Sequence, residues 1–139
     1  MKKLSLLFIL PFILLGCSAN RIKPNTLDYD DIENVVSWSN IFNIDEDEYL
    51  VYFYSVTCGH CKEIKGLMID YYFSNLEQIY FSEVSEETVY GQRSDLTGID
   101  KLENFYIFGT PFLIKIEDKI VSEYYSGVKE ISEYINYKS

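Results

Sequence analysis

Alanine is all but missing from this 139-residue sequence, with Ala19 the only one. Thirteen tyrosines and nine phenylalanines fill the apolar composition instead, a bias we read as coding composition rather than chemistry. Cysteine is scarce, with three residues, and the chain has one histidine. A zinc site built from four cysteine or histidine ligands would consume Cys17, Cys58, His60 and Cys61 together, although His60 lies inside the Cys58–Cys61 pair. Methionine occurs only as Met1 and Met68, so no soft-ligand cluster supports copper binding. Basic residues number 12 against 22 acidic ones, for a net charge of −10. No basic patch emerges, which excludes nucleic acid as a partner. The acidic runs Asp28 to Glu33 and Asp45 to Glu48 read as solvated helix ends and loops rather than a metal cage. Internal repeats are absent, and the length suits one domain with one core.

The N-terminus carries Met1-Lys2-Lys3, then a short apolar run from Leu4 to Leu15. That run is too short to cross a bilayer comfortably and reads as a cleaved leader. Leu14-Leu15-Gly16-Cys17 resembles the bacterial lipobox, whose cysteine is lipidated and becomes the first mature residue. Ordinary secretion with cleavage after Ala19 is the alternative. Both readings place the domain outside the cytoplasm, where disulfides persist. The expected organisation is a leader over 1–16, a lipidated N-terminus and tether over 17–27, and a folded domain over 28–139. Cys17 as the lipid anchor leaves Cys58 and Cys61 as the only thiols.

Cys58-Gly59-His60-Cys61 closes the apolar run Leu50 to Tyr54 and opens a helical stretch. A strand feeding a dithiol at a helix start has mechanical meaning. Unpaired N–H groups and the helix dipole stabilise a thiolate on the first cysteine. The second lies nearly one turn later and can bridge to it. Half of a zinc site and a purely structural disulfide are the bland alternatives, and a four-residue ring restrains an unfolded chain little. His60 is expected to lower the Cys58 pKa below the free value of about 8.5. Its plain alternative is an exposed turn residue.

The remaining pattern predicts a helix from Asp28 to Phe42, with Ile32, Val35, Val36, Ser39 and Phe42 inward and Trp38 covering a core edge. Tyr49–Tyr54 reads as a central strand covered on both faces. A helix follows from about Cys58 to Asn75, with Gly66 as a possible bend, and then a strand over Gln78–Val84. Ser85–Gly98 reads as a surface loop and Asp100–Tyr106 as a short helix. A hairpin over Phe112–Tyr125 turns at Glu117-Asp118-Lys119, and Gly127 precedes a last helix, Val128–Tyr137. The order is α-β-α-β-α-β-β-α.

In that order, Val51 to Lys62 resembles the active-site segment of the thioredoxin superfamily, its protein disulfide isomerase branch in particular. Gly109-Thr110-Pro111-Phe112 resembles the family's cis-proline loop. The resemblance covers about Asp28 to Lys138. It implies an α/β thioredoxin-like fold with a central mixed sheet flanked by helices. It also implies Cys58 as nucleophile, Cys61 as a more buried resolving thiol, and a cis Pro111. Gly59, Thr110 and Pro111 would line the site for an extended substrate segment. Two positions depart from the pattern: Tyr52 stands where many members place a buried acid, and Thr57 where a tryptophan usually precedes the first cysteine.

The expectation is a monomeric, lipid-anchored extracytoplasmic thiol–disulfide oxidoreductase, oxidation favoured, acting on protein thiols and recycled by a membrane redox partner. It needs no cofactor beyond the Cys58–Cys61 disulfide. A reductase of surface thiols is the near alternative. An accessory lipoprotein binding a partner through Trp38 and Tyr124-Tyr125 is another, and a copper chaperone a third.

Overall fold

The computed structural model describes residues 27–139. Cys17, the leader over 1–16 and all but the last residue of the 17–27 segment lie outside the described residues.

The sheet is built on β1 (Glu48–Tyr54), whose residues after Glu48 are all buried. It pairs in parallel with β2 (Ile79–Glu83) and antiparallel with β3 (Phe112–Glu117). β4 (Ile120–Ser126) completes the order β2-β1-β3-β4. Helix α1 (Gly59–Ser74) crosses from β1 to β2, and α2 (Gly127–Lys138) follows β4. A mixed α/β sheet is therefore present. The β3–β4 turn falls on Asp118 and Lys119, with φ of 51° and 67°, the left-handed pair that a two-residue hairpin requires.

Alternation along β1 divides the core. Leu50, Tyr52 and Tyr54 meet Ile64, Met68 and Ile69 of α1, and Ile131 and Ile135 of α2. Tyr49, Val51 and Phe53 meet Val36, Trp38, Ile41, Leu96, Phe105 and Ile107 on the opposite face. Both α-helices lie on the first face, and the second is covered by short turns and loops. The continuous apolar character of β1 follows from burial on both sides.

Two predicted helices are corrected. Over Asp28–Phe42 the chain forms only 3-10 turns, Tyr29–Asp31 and Trp38–Asn40. The first turn is closed by the Asp28 and Asp31 side chains, each bonding backbone N–H at 2.7 Å. Beyond it the chain runs extended past β2. The Phe81 N–H donates to the Asn34 carbonyl at 2.8 Å, and the Val36 N–H donates to the Phe81 carbonyl at 2.9 Å. The adjacent β-branched Val35 and Val36 are poor in a helix, and the open strand edge satisfies their neighbours' backbone instead. Val35, assigned inward, is 61% exposed. Over Asp100–Tyr106 only the 3-10 turn Leu102–Asn104 forms. Trp38 does cover a core edge, its ring 5.6 Å from Phe53 and 5.3 Å from Phe105.

Helix α1 buries Ile64, Met68, Ile69 and Tyr71, and α2 buries Ile131, Tyr134 and Ile135, at helical spacing. Gly66 sits inside an unbroken α1. The helices are clasped at Glu77, which accepts the Tyr71 hydroxyl and, at 2.8 Å, the Tyr134 hydroxyl. Lys138 lies 3.6 Å away. Removing the acceptor strands two phenols and a cation, so Glu77→Ala should destabilise the fold by about 2 kcal/mol. Urea unfolding would show this as a lower midpoint, with Glu77→Gln intermediate.

Candidate redox site

Cys58 is the N-cap of α1, with extended backbone, and its sulfur accepts the Cys61 N–H at 3.2 Å. Ser55, Val56 and Thr57 form the turn that delivers it, held by Cys58 N–H to the Ser55 carbonyl at 3.1 Å. Cys58 is half-buried and Cys61 fully buried, both as thiols. Across the site, Cys58 Sγ donates to the Thr110 carbonyl at 3.3 Å, and the Thr110–Pro111 bond is cis. Three predicted site residues, Cys58, Cys61 and Thr110, thus converge, with Pro111 beside them.

The two thiols differ electrostatically. Burial opposes ionisation of Cys58, but the Cys61 thiol, the Thr110 side chain and the N–H groups of Cys61 and His60 outweigh it. Its pKa therefore lies below the ordinary thiol value. Burial, reinforced by the bond to Cys58, pushes Cys61 up to about 11. Cys58 is the more readily ionised of the two thiols, and the Cys61 thiol is hydrogen-bonded to it.

His60 is placed differently from the sequence picture. Its ring is exposed, with Nδ1 3.4 Å from Glu63 Oε2, and its backbone N–H is the part that favours the Cys58 thiolate. Gly59 opens the helix with no heavy atom near its missing side chain, leaving the approach to Cys58 clear. Among the described residues, no group of three or more His, Cys, Asp or Glu side chains could hold a metal ion.

Tyr29 went unrecognised in the sequence. Its hydroxyl donates to the Cys61 carbonyl at 3.1 Å and lies 3.3 Å from the Tyr52 hydroxyl. Its ring packs 3.9 Å from Tyr54. Burial raises both Tyr29 and Tyr52 above the ordinary phenol value, so the pair stays protonated. No local signal marks Tyr29, because its partner is 32 residues away.

Neither a family model nor a curated protein matches the sequence. Solved structures do. Mitochondrial thioredoxin 3 from Saccharomyces cerevisiae superposes with a TM-score of 0.52 at 14% identity, over 74% of this chain and 92% of that one. A thioredoxin from Nicotiana alata gives 0.51 at 16%, over 76% and 92%. Plasmodium falciparum thioredoxin gives 0.50 at 16%, over 76% and 99%. The chain has the thioredoxin fold.

The structure places the two positions at which the sequence departs from the thioredoxin resemblance. The buried position of Tyr52 carries a phenol paired with Tyr29, where the sequence resemblance places a carboxylate. Thr57, ahead of Cys58, is exposed and turns its hydroxyl to Ser55 at 3.0 Å. Around the pair lie the exit of β1, the start of α1 and the cis Thr110–Pro111 bond.

Proposed function

We propose that the chain is a membrane-anchored, extracytoplasmic thiol–disulfide oxidoreductase that exchanges the Cys58–Cys61 disulfide with protein substrates, oxidation favoured. The observation that carries this reading is the asymmetry of the pair: a half-exposed Cys58 depressed in pKa beside a buried Cys61 raised to about 11. Stabilising the thiolate stabilises the reduced form, which makes the disulfide the stronger oxidant. The lipobox-like Cys17 supports the anchor, and the leader supports the location.

In the oxidising direction a substrate thiolate attacks Cys58 Sγ. The Cys58–Cys61 bond breaks, and Cys61 leaves with the electron pair and takes up a proton. A second substrate thiolate then attacks the substrate sulfur of the mixed disulfide and expels Cys58 as a thiolate. Two electrons pass from substrate to protein, and a membrane redox partner removes them. His60 takes part through its backbone N–H, with its ring at the rim on Glu63. Thr110, Pro111 and Gly59 receive the substrate chain beside Cys58.

The residues named for an accessory-lipoprotein surface are engaged within the fold, which favours the oxidoreductase reading. Trp38 is buried, while the half-buried Tyr124 stacks on Phe112 and the half-buried Tyr125 packs 4.5 Å from Tyr134. Equilibration with glutathione buffers tests the proposal, with Cys58→Ser as control. A potential near about −120 to −180 mV is expected, and one near about −270 mV would make the chain a reductase of surface thiols.

A further inference from the structure

The loop from Ser85 to Gly98 looks featureless in the sequence, yet its middle is pinned to the segment that leads into the cis-proline loop. The Ile107 N–H donates to the Val89 carbonyl and the Gly91 N–H to the Ile107 carbonyl, both at 3.0 Å. Tyr90 thereby forms a parallel bridge with Ile107. Gly91 admits no side chain, since a Cβ there would come 2.2 Å from the Tyr106 ring. Ser94 bonds the Tyr106 hydroxyl, Arg93 pairs with Glu130 of α2, and Leu96 is fully buried. The segment is anchored on both sides, but Tyr90 itself is 55% exposed.

Its position gives that exposure a meaning. Ile107 lies three residues before Thr110, whose carbonyl receives Cys58 Sγ at 3.3 Å. Tyr90 is thus held one backbone segment away from the loop that touches the nucleophile. The sulfurs also register on it: burial first, and then the charges of Cys58 and Cys61, raise its phenol above the ordinary value. An exposed aromatic ring carried on a segment pinned beside the cis-proline loop is a surface for the chain that delivers the second sulfur. Extended chain advances about 3.3 Å per residue, so residues flanking a substrate cysteine stay close to Cys58. The net charge of −10 works against small anionic thiols, leaving apolar contact as the source of preference.

We propose that Tyr90 is a specificity-determining residue of the redox site, packing against an aromatic or aliphatic side chain adjacent to the reacting cysteine of an extended polypeptide. This rests on the oxidoreductase reading above.

The test uses the oxidised full chain and two reduced dithiol peptides of equal charge, one with phenylalanine and one with serine beside the attacking cysteine. Second-order rates are read by quenched-flow, with dithiothreitol as a reference thiol. The wild-type chain should favour the phenylalanine peptide by about tenfold, the scale of partly burying one aromatic side chain. Tyr90→Ala should bring the ratio towards one, whatever it does to the dithiothreitol rate. Tyr90→Phe should keep the preference, and Tyr137→Ala, a distant exposed tyrosine, should leave every rate unchanged. A preference that survives in Tyr90→Ala overturns the inference while the oxidoreductase reading stands. So does a uniform slowing of both peptides and dithiothreitol. A wild-type disulfide that dithiothreitol cannot reduce overturns both.

Discussion

Iodoacetamide at pH 7 should label Cys58 and leave Cys61 untouched, with rates differing by at least about a hundredfold. The sign follows from the geometry. Cys58 sits at a helix start with N–H groups aimed at its sulfur, so its pKa is lowered and its thiolate fraction at neutral pH is raised. Its alkylation rate should climb with pH and level off below the ordinary thiol value. Cys61 is raised to about 11, which leaves roughly one thiolate in ten thousand at pH 7. It is also fully buried, so access adds to the difference. Mass spectrometry of the alkylated chain across pH 5 to about 10 gives both curves. Equal labelling of the two cysteines at neutral pH would remove the asymmetry on which the proposed chemistry depends. Cys61→Ser should then retain Cys58 alkylation and, offered a disulfide-bonded substrate, hold it as a persistent mixed disulfide with the substrate's other sulfur released as a thiol, because the resolving sulfur is gone.

Phe53→Ala should destabilise the fold by about 3–5 kcal/mol, the range for truncating a fully buried aromatic. Phe53 is at the centre of β1 and touches no solvent. Its ring lies 5.6 Å from Trp38, 5.9 Å from Phe105 and 6.3 Å from Phe112. These four rings come from four separate stretches of chain, so no single element can collapse into the space left behind. Among the described residues no α-helix covers this face of the sheet to shift inward as a unit. Denaturant titration of the reduced protein measures the loss. A cost below about 1 kcal/mol would mean that the loops on this face repack freely.

What could be read from the sequence was whatever neighbours in sequence determine. The Cys58–Cys61 pair, the apolar β1 run and the hairpin turn at Asp118-Lys119 each carry their signal within a few residues. The spacing of Ile64, Met68 and Tyr71 did so for α1. Gly-Thr-Pro at 109–111 was legible through family resemblance, and the structure brings Thr110 to Cys58. The Asp28–Phe42 helix failed for the opposite reason. Its apolar spacing suits a helix, but Asn34 and Val36 are recruited by Phe81, over forty positions away, and no local pattern announces an open strand edge. Tyr29 beneath Cys61 and Tyr90 beside Ile107 were hidden in the same way. His60 shows a subtler limit: its place at the start of α1 is legible, but which part of it faces the sulfur depends on the turn of the helix.

The outer edge of β2 has one more consequence. Phe81 uses both its N–H and its carbonyl on Asn34 and Val36, and the Asn34 amide caps the Ile79 carbonyl at 3.2 Å. Three of the groups through which a foreign strand would extend the sheet on that side, both of Phe81 and the Ile79 carbonyl, are already taken. Where many copies crowd together, this short stretch acts as a selvedge, finishing the weave so that neighbouring molecules cannot be stitched onto it.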